Sequence, residues 1–378
     1  MRNHIYILCF MIISCKQSLP ECEKVINIDP FIKNKKELLL SEIASDISYI
    51  RLETTPESLI GRIKKVRYFD NKFLVLCSQT DQIFIFNSKG TYIAKINHIG
   101  RGPGEYLQIR DFTSIPIDTS IMIVDAMQRK VIKYDFTGKF LQEMRWNTNP
   151  HNISVLNDSL VALQSNYPDF ILNGKYSIAL YEKNLKPLKK MIPQRTNTHE
   201  ERVGYIPSHS LNFFAHVSDT LTFWEYRNDI IYKIINNQEV IQKYYIQYSH
   251  KIKQGNMKNF FGVPPDKNEL VIFIETENYM FMEGTTFGET FRIVYFKDRD
   301  MGYNIAINEY KEDLTNDFDH GPNFYPRGVL DNGQLYKSFS LFNFHENRGK
   351  NLPFPEVLKI NDDVLFEDNP VIMLVTLK

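Results

Sequence analysis

The sequence has no excess of charge of either sign: 45 Lys and Arg stand against 45 Asp and Glu in 378 residues. A phosphate backbone finds no electrostatic footprint on such a chain, so no nucleic-acid partner is expected. Long apolar runs are missing too. After the first 15 residues nothing approaches the ~18 uninterrupted apolar residues that a spanning helix needs. Ala-rich, helix-favouring stretches are absent, whereas Ile, Val, Tyr and Phe abound, as strand interiors prefer. Only four cysteines occur, none in C-x-x-C spacing, which removes the common zinc patterns. There is no G-x-S-x-G elbow, and His199-Glu200-Glu201-Arg202 lacks the second histidine of a zinc-protease helix. That stretch, with His209 and His216, reads as a polar insertion. No metal or cofactor site is expected.

What is there is a repeat. Phe73-Leu74-Val75-Leu76, Ile83-Phe84-Ile85-Phe86 and the turn Asn87-Ser88-Lys89-Gly90 return 48 residues later. The second copy is Ile121-Met122-Ile123-Val124, Val131-Ile132-Lys133-Tyr134 and Asp135-Phe136-Thr137-Gly138. An all-β period near 50 residues points to propeller blades. A third unit carries Leu160–Leu163 and Ile178–Tyr181, and a fourth Leu221–Trp224 and Ile231–Ile234 with Asn228-Asp229 between them. A fifth carries Tyr279–Met282 and Phe291–Phe296 joined through Gly284 and Gly288, and a sixth turns at Asp331-Asn332-Gly333. The expected fold is all-β: a six-bladed propeller of four-stranded antiparallel blades over residues 46–378. The strand near 46–53 is expected to pair with the apolar C-terminal strand Val371–Leu377, closing the ring and covering an exposed edge. Irregular stretches at 189–210 and 252–268 break the pattern, the second with a short helix around 253–261.

The N-terminus reads as a leader. Arg2 precedes the apolar stretch Ile5–Ile13, and Ser14-Cys15 follows, in the manner of a lipobox. Residues 1–14 are expected as a lipoprotein signal peptide, Cys15 as the lipidated new N-terminus, and 15–45 as that terminus and its tether. Acylation anchors a chain to a membrane without spanning it. Cys22 and Cys77 remain, unpaired in the favoured reading, with a disulfide as the alternative.

Gly100-Arg101-Gly102-Pro103-Gly104-Glu105-Tyr106, together with the lipobox, Ile47–Thr54 and Asn228–Ile234, resembles the six-bladed β-propeller lipoproteins of Bacteroides-type bacteria, which look like distant relatives of NHL-repeat propellers. The resemblance covers essentially the whole mature chain. It implies the fold and a cell-envelope location and does not imply an activity; Lys16-Gln17-Ser18 after Cys15 lack the acidic run that would suggest export to the surface, so the periplasmic face is slightly favoured.

Two loops hold the candidate binding residues. In the first, Arg101 is placed to meet an anion at the channel mouth, with Glu105 and Tyr106 beside it; the structural alternative is a tight inter-blade connection in which Arg101 and Glu105 pair. In the second, Asp317, Asp319 and His320, completed by Tyr325 and Arg327, gather groups suited to a cation or to acid–base work, or form a solvated loop. No catalytic residue is assigned. The expected function is non-catalytic recognition or scaffolding at the envelope, binding a glycan, peptide or partner protein through one propeller face. The alternative is a propeller enzyme, a glycan lyase or hydrolase, whose residues are dispersed over several blades and leave no local motif.

Overall fold

The computed structural model describes residues 22–145, 150–165, 178–190, 214–217, 220–224, 229–235, 239–249, 268–306, 312–346, 358 and 368–378. Six antiparallel sheets of four strands form the blades of a propeller. Their innermost strands are Ile63–Phe69, Ile109–Ile115, Pro150–Asn157, Phe214–Val217, Asn268–Glu275 and Gly328–Val329, in blades one to six.

The second and third strands of each blade lie between neighbouring blades and are covered on both faces. Strand Lys72–Cys77 is therefore buried from Phe73 to Cys77, and Ser120–Asp125 is buried throughout. Such strands need continuous apolar runs, and an alternating pattern is left to strands with one face in water. The outermost strands show that change: Phe140–Arg145 is largely exposed.

The repeated turns follow from their polar residue and their glycine. Asn87 Oδ1 accepts from the N–H groups of Lys89 and Thr91 at 2.9 and 3.0 Å, and Gly90 takes φ +86°. Forty-eight residues on, Asp135 Oδ1 accepts from Thr137 and Lys139 at 2.8 and 3.0 Å, and Gly138 takes φ +85°. A side-chain acceptor followed by a residue free to adopt positive φ is what this turn demands. Gly284, expected in a turn, instead lies inside strand Tyr279–Thr286, where an added Cβ would meet the Glu269 carbonyl at 2.1 Å. The turn itself is made at Phe287-Gly288.

The sixth blade is shared between the chain's ends. Strand Ala44–Arg51 pairs with Val371–Leu377, Ile47 facing Val375 and Arg51 facing Val371. Asn369 fastens the seam: its Oδ1 accepts from Ile60 N–H at 2.6 Å, and its Nδ2 donates to the Glu53 and Ser58 carbonyls at 2.8 Å each.

The segment expected to be a tether is, from Lys24 on, part of the domain. Strand Lys24–Asn27 adds in parallel to Val240–Gln247 as a fifth strand of blade four. Helix Asp29–Lys33 then lays Phe31 against Tyr295 of blade five, ring centroids 5.6 Å apart. Thr315 donates its N–H to the Leu38 carbonyl at 3.0 Å and accepts from Leu40 N–H at 2.8 Å, and Leu38, Leu40 and Ile43 are buried. Polar residues between these anchors face water and give the stretch its tether-like composition. Cys22 and Cys77 are both free thiols, Cys77 buried. Among the described residues no helix is long and apolar enough to cross a membrane. The leader, Cys15, His199–Arg202, His209 and the 253–261 helix lie outside the described residues.

Candidate functional site in the central channel

The innermost strands surround a cavity of about 560 Å³ to which all six blades contribute, Lys65 from the first, Asp111 from the second and His216 from the fourth among them. Its charged groups are tied across blades. Lys65 Nζ donates to Asp111 Oδ1 at 2.6 Å and to the Phe112 carbonyl at 3.0 Å. Asp111 also accepts from Ile153 N–H at 3.0 Å, so blades one, two and three meet on one carboxylate. Burial pushes the Lys65 amine down, with Asp111 opposing. Arg67 is ion-paired with Asp331, and the Tyr336 hydroxyl accepts from Val66 N–H at 3.1 Å, which join blade one to blade six. Burial, and then Arg67, lower the pKa of His216, which is therefore neutral at pH 7.

One residue earlier along the inner strands, four blades share an irregularity. Pairing skips Lys64 between Ile63 and Lys65, Arg110 between Ile109 and Asp111, His151 between Pro150 and Asn152, and Val271 between Leu270 and Ile272. A β-bulge takes one residue out of the ladder and re-aims its side chain. His151 on blade three lies within electrostatic reach of both Arg110 on blade two and Lys64 on blade one. Burial, reinforced by Arg110 and Lys64, lowers the His151 imidazole to about 3. Its Nδ1 is buried without a hydrogen-bond partner among the described residues. Burial and then Arg110 bring the Lys64 amine down to about 8, against Asp111 and Asp81. That amine donates to the Ile109 carbonyl at 3.0 Å.

The Gly100–Tyr106 loop sits elsewhere. It packs on the outer strands of blade two, where Gly104 abuts Phe140 and donates its N–H to Glu143 at 2.9 Å. Glu105 folds back to accept from Gly102 N–H at 2.7 Å, and Tyr106 is fully buried with its hydroxyl on the Ile96 carbonyl. Arg101 is exposed, and no ion pair joins it to Glu105. Beneath the loop Lys130, fully buried, donates to the Gly102 and Glu105 carbonyls at 3.2 and 2.9 Å and to Glu143 at 3.2 Å. Burial raises the Glu143 carboxyl, but the Gly104 N–H and Lys130 outweigh it and leave it below its usual range. Lys130→Met strands these acceptors and is expected to cost about 1–3 kcal/mol, read as a lower urea midpoint at unchanged slope.

The second loop is also a brace. Asp317 accepts from Ser41 N–H at 3.0 Å, and Asp319 from the Tyr49 hydroxyl at 3.1 Å and Asn316 Nδ2 at 2.8 Å. His320 takes φ +59° in the turn that follows. Tyr325 is buried under the Arg292 guanidinium, 5.2 Å from its ring centre, and Arg327 reaches Glu283 at 3.5 Å. None of the residues singled out in either loop lines the cavity. Among the described residues no three His, Cys, Asp or Glu side chains are placed to hold a metal ion.

The fold recurs in solved structures. A putative exported protein of Bacteroides fragilis is 19% identical with a TM-score of 0.73, over 94% of this chain and 99% of that one. A member of the DUF4221 family from Bacteroides vulgatus is 12% identical with a TM-score of 0.51, over 91% and 98%. At such identities the likeness shows the fold alone. No curated protein matches the sequence significantly. The model of the family described as a domain of unknown function, DUF4934, matches residues 23–376, and the chain belongs to that family.

Proposed function

We propose that the protein is an exported, lipid-anchored recognition module of the cell envelope that binds its ligand at the channel rather than transforming it. The observation that carries this is the state of the channel's charged groups. Asp111 is held by Lys65 and two backbone N–H groups, and Asp331 by Arg67 and the Tyr68 N–H. Carboxylates committed in this way are poor general bases, whereas a roomy cavity lined by apolar and charged side chains together suits binding. The likeness to an exported protein supports an extracytoplasmic place. A lipid on Cys15 would hold the rim of blade four close to the membrane: Cys22 follows Cys15 by seven positions, a reach of roughly 25 Å at most.

Two measurements test this reading. Cys15→Ser is expected to move the protein from the membrane to the soluble fraction and to abolish labelling by radioactive palmitate; retention of both properties would remove the anchor. A melting-temperature screen against glycans and peptides is expected to give a saturable rise with one class, because a ligand that binds only the folded state stabilises it by mass action. Product formation from the stabilising compound would replace binding by catalysis.

A further inference from the structure

We infer that the central cavity binds an uncharged sugar ring, its hydroxyl groups meeting Arg67, Asp331, Ser114 and His216 and its C–H face meeting Phe69; the inference rests on the recognition reading above. Two donors on residues that line the cavity have no partner among the described residues: Arg67 Nε and the hydroxyl of Ser114, a residue 1% exposed. Buried polar groups are seldom left unpaired, so each marks a place for an acceptor brought from outside the chain. Acceptors line the same space. Asp331, ion-paired with Arg67, and His216 are both open to the cavity. A neutral imidazole donates from one nitrogen and accepts at the other, and a hydroxyl group does both at one oxygen. A ring carrying several hydroxyls therefore answers this mixed set, where a carboxylate offers acceptors alone.

The charges decide against an anion. Lys65 is committed to Asp111 and Arg67 to Asp331, and among the described lining residues the charge left over is the carboxylate of Asp158, exposed at the rim. A negative group brought in would lose its water without gaining a counter-charge. The same strand that carries Arg67 also supplies an apolar platform. Phe69 lies two residues further on, hence on the same side of the strand, half-buried and lining the cavity. Its ring is held by stacking on Phe136, centroids 5.8 Å apart and planes 18° from parallel. Pro116, exposed at the end of the inner strand of blade two, lines the cavity as well. A polar fork beside an aromatic ring is the pairing that a pyranose fills, with its hydroxyl edge and its C–H face, and about 560 Å³ is room enough for it.

The test is titration calorimetry of the full-length protein with D-glucose, D-galactose and D-mannose. The uronic acid of each serves as the same ring carrying a charge, and N-acetyl-dialanine amide as an uncharged peptide. At least one of the three sugars is expected to bind, its uronic acid and the amide at least about tenfold more weakly. Ser114→Ala is expected to raise Kd by about fivefold while the urea midpoint stays or rises, since the hydroxyl it removes has no partner among the described residues. Phe69→Leu is expected to raise Kd by a similar factor. A role confined to the fold would move the midpoint and leave Kd alone. A uronic acid or the amide binding as tightly as the sugar overturns the neutral-sugar site and leaves recognition standing. A sugar Kd unmoved by both substitutions overturns the placement in this cavity. Absence of sugar binding up to tens of millimolar overturns the site as well; a melting-temperature rise with a peptide then still upholds recognition, and its absence counts against that too.

Discussion

Glu275→Ala is expected to lower the unfolding free energy by roughly 3–5 kcal/mol, about the cost of removing one partner from a buried ion pair. Glu275 ends the inner strand of blade five and is fully buried. Four donors converge on it: Lys297 Nζ at 2.6 Å, Lys243 Nζ at 2.7 Å, Thr222 Oγ1 at 2.9 Å and the Tyr244 hydroxyl at 3.0 Å. Lys243, Thr222 and Tyr244 belong to blade four, so the carboxylate locks two blades together. Alanine leaves two ammonium groups, both mostly buried, with no counter-charge. The expected readout is a lower urea midpoint at unchanged slope; a loss below ~1 kcal/mol would show that water enters and solvates the lysines.

The same site gives a pH dependence. Burial raises the Glu275 carboxyl, but Lys297 and Lys243 outweigh it and leave its folded pKa below the ordinary value. A carboxyl depressed on folding adds stability that is complete above its unfolded pKa, about 4.3, and is lost as pH falls through the folded one. The gap in stability between the native protein and Glu275→Gln should therefore be widest near neutrality and close below about pH 4. A gap that is constant with pH would assign the effect to packing.

The blades were legible in the sequence because each middle strand is covered on both faces and leaves an apolar run, and because the matching turns of blades one and two each need an acceptor and a glycine. Leu221–Trp224 and Ile231–Ile234 announce blade four by their apolar runs. The inner strands carry a weaker signal, and with them the channel. Ile63–Phe69 mixes Lys64, Lys65 and Arg67 with apolar residues and matches no simple period. Lys64, Arg110 and His151 are separated by 46 and 41 residues, close to the blade repeat, so aligning the inner strands by phase would have found them. What no alignment of one chain shows is the bulge, which depends on the register of the neighbouring strand. The two loops chosen from the sequence drew notice by density of glycine, charge and histidine. That density served bracing: Glu105 ties back to Gly102, and Asp317 and Asp319 tie to Ser41 and Tyr49.

A chain that begins at residue 44 is expected not to fold, whereas one that begins at residue 22 is expected to match the full chain. The first still contains every residue of the six four-stranded blades, including the closing strand Ala44–Arg51. It lacks the strap across blades four, five and six, in which Ile26, Ile28, Leu38, Leu40 and Ile43 are each no more than 2% exposed. Burying an aliphatic side chain of this size is worth ~1.5–3 kcal/mol. Five of them approach the whole stability of an ordinary domain, ~5–15 kcal/mol, even allowing for residual burial in the unfolded chain. The strap also satisfies backbone groups at sheet edges, through Ile28 N–H on the Gln247 carbonyl at 2.9 Å and Leu40 N–H on the Thr315 carbonyl at 2.8 Å. Without it, blade four exposes the edge of strand Val240–Gln247, a template for pairing between molecules. Circular dichroism and size-exclusion chromatography of the two truncations decide the matter. A monomeric, cooperatively melting 44–378 chain would show that the strap is dispensable and that the tether ends where the sequence alone suggested.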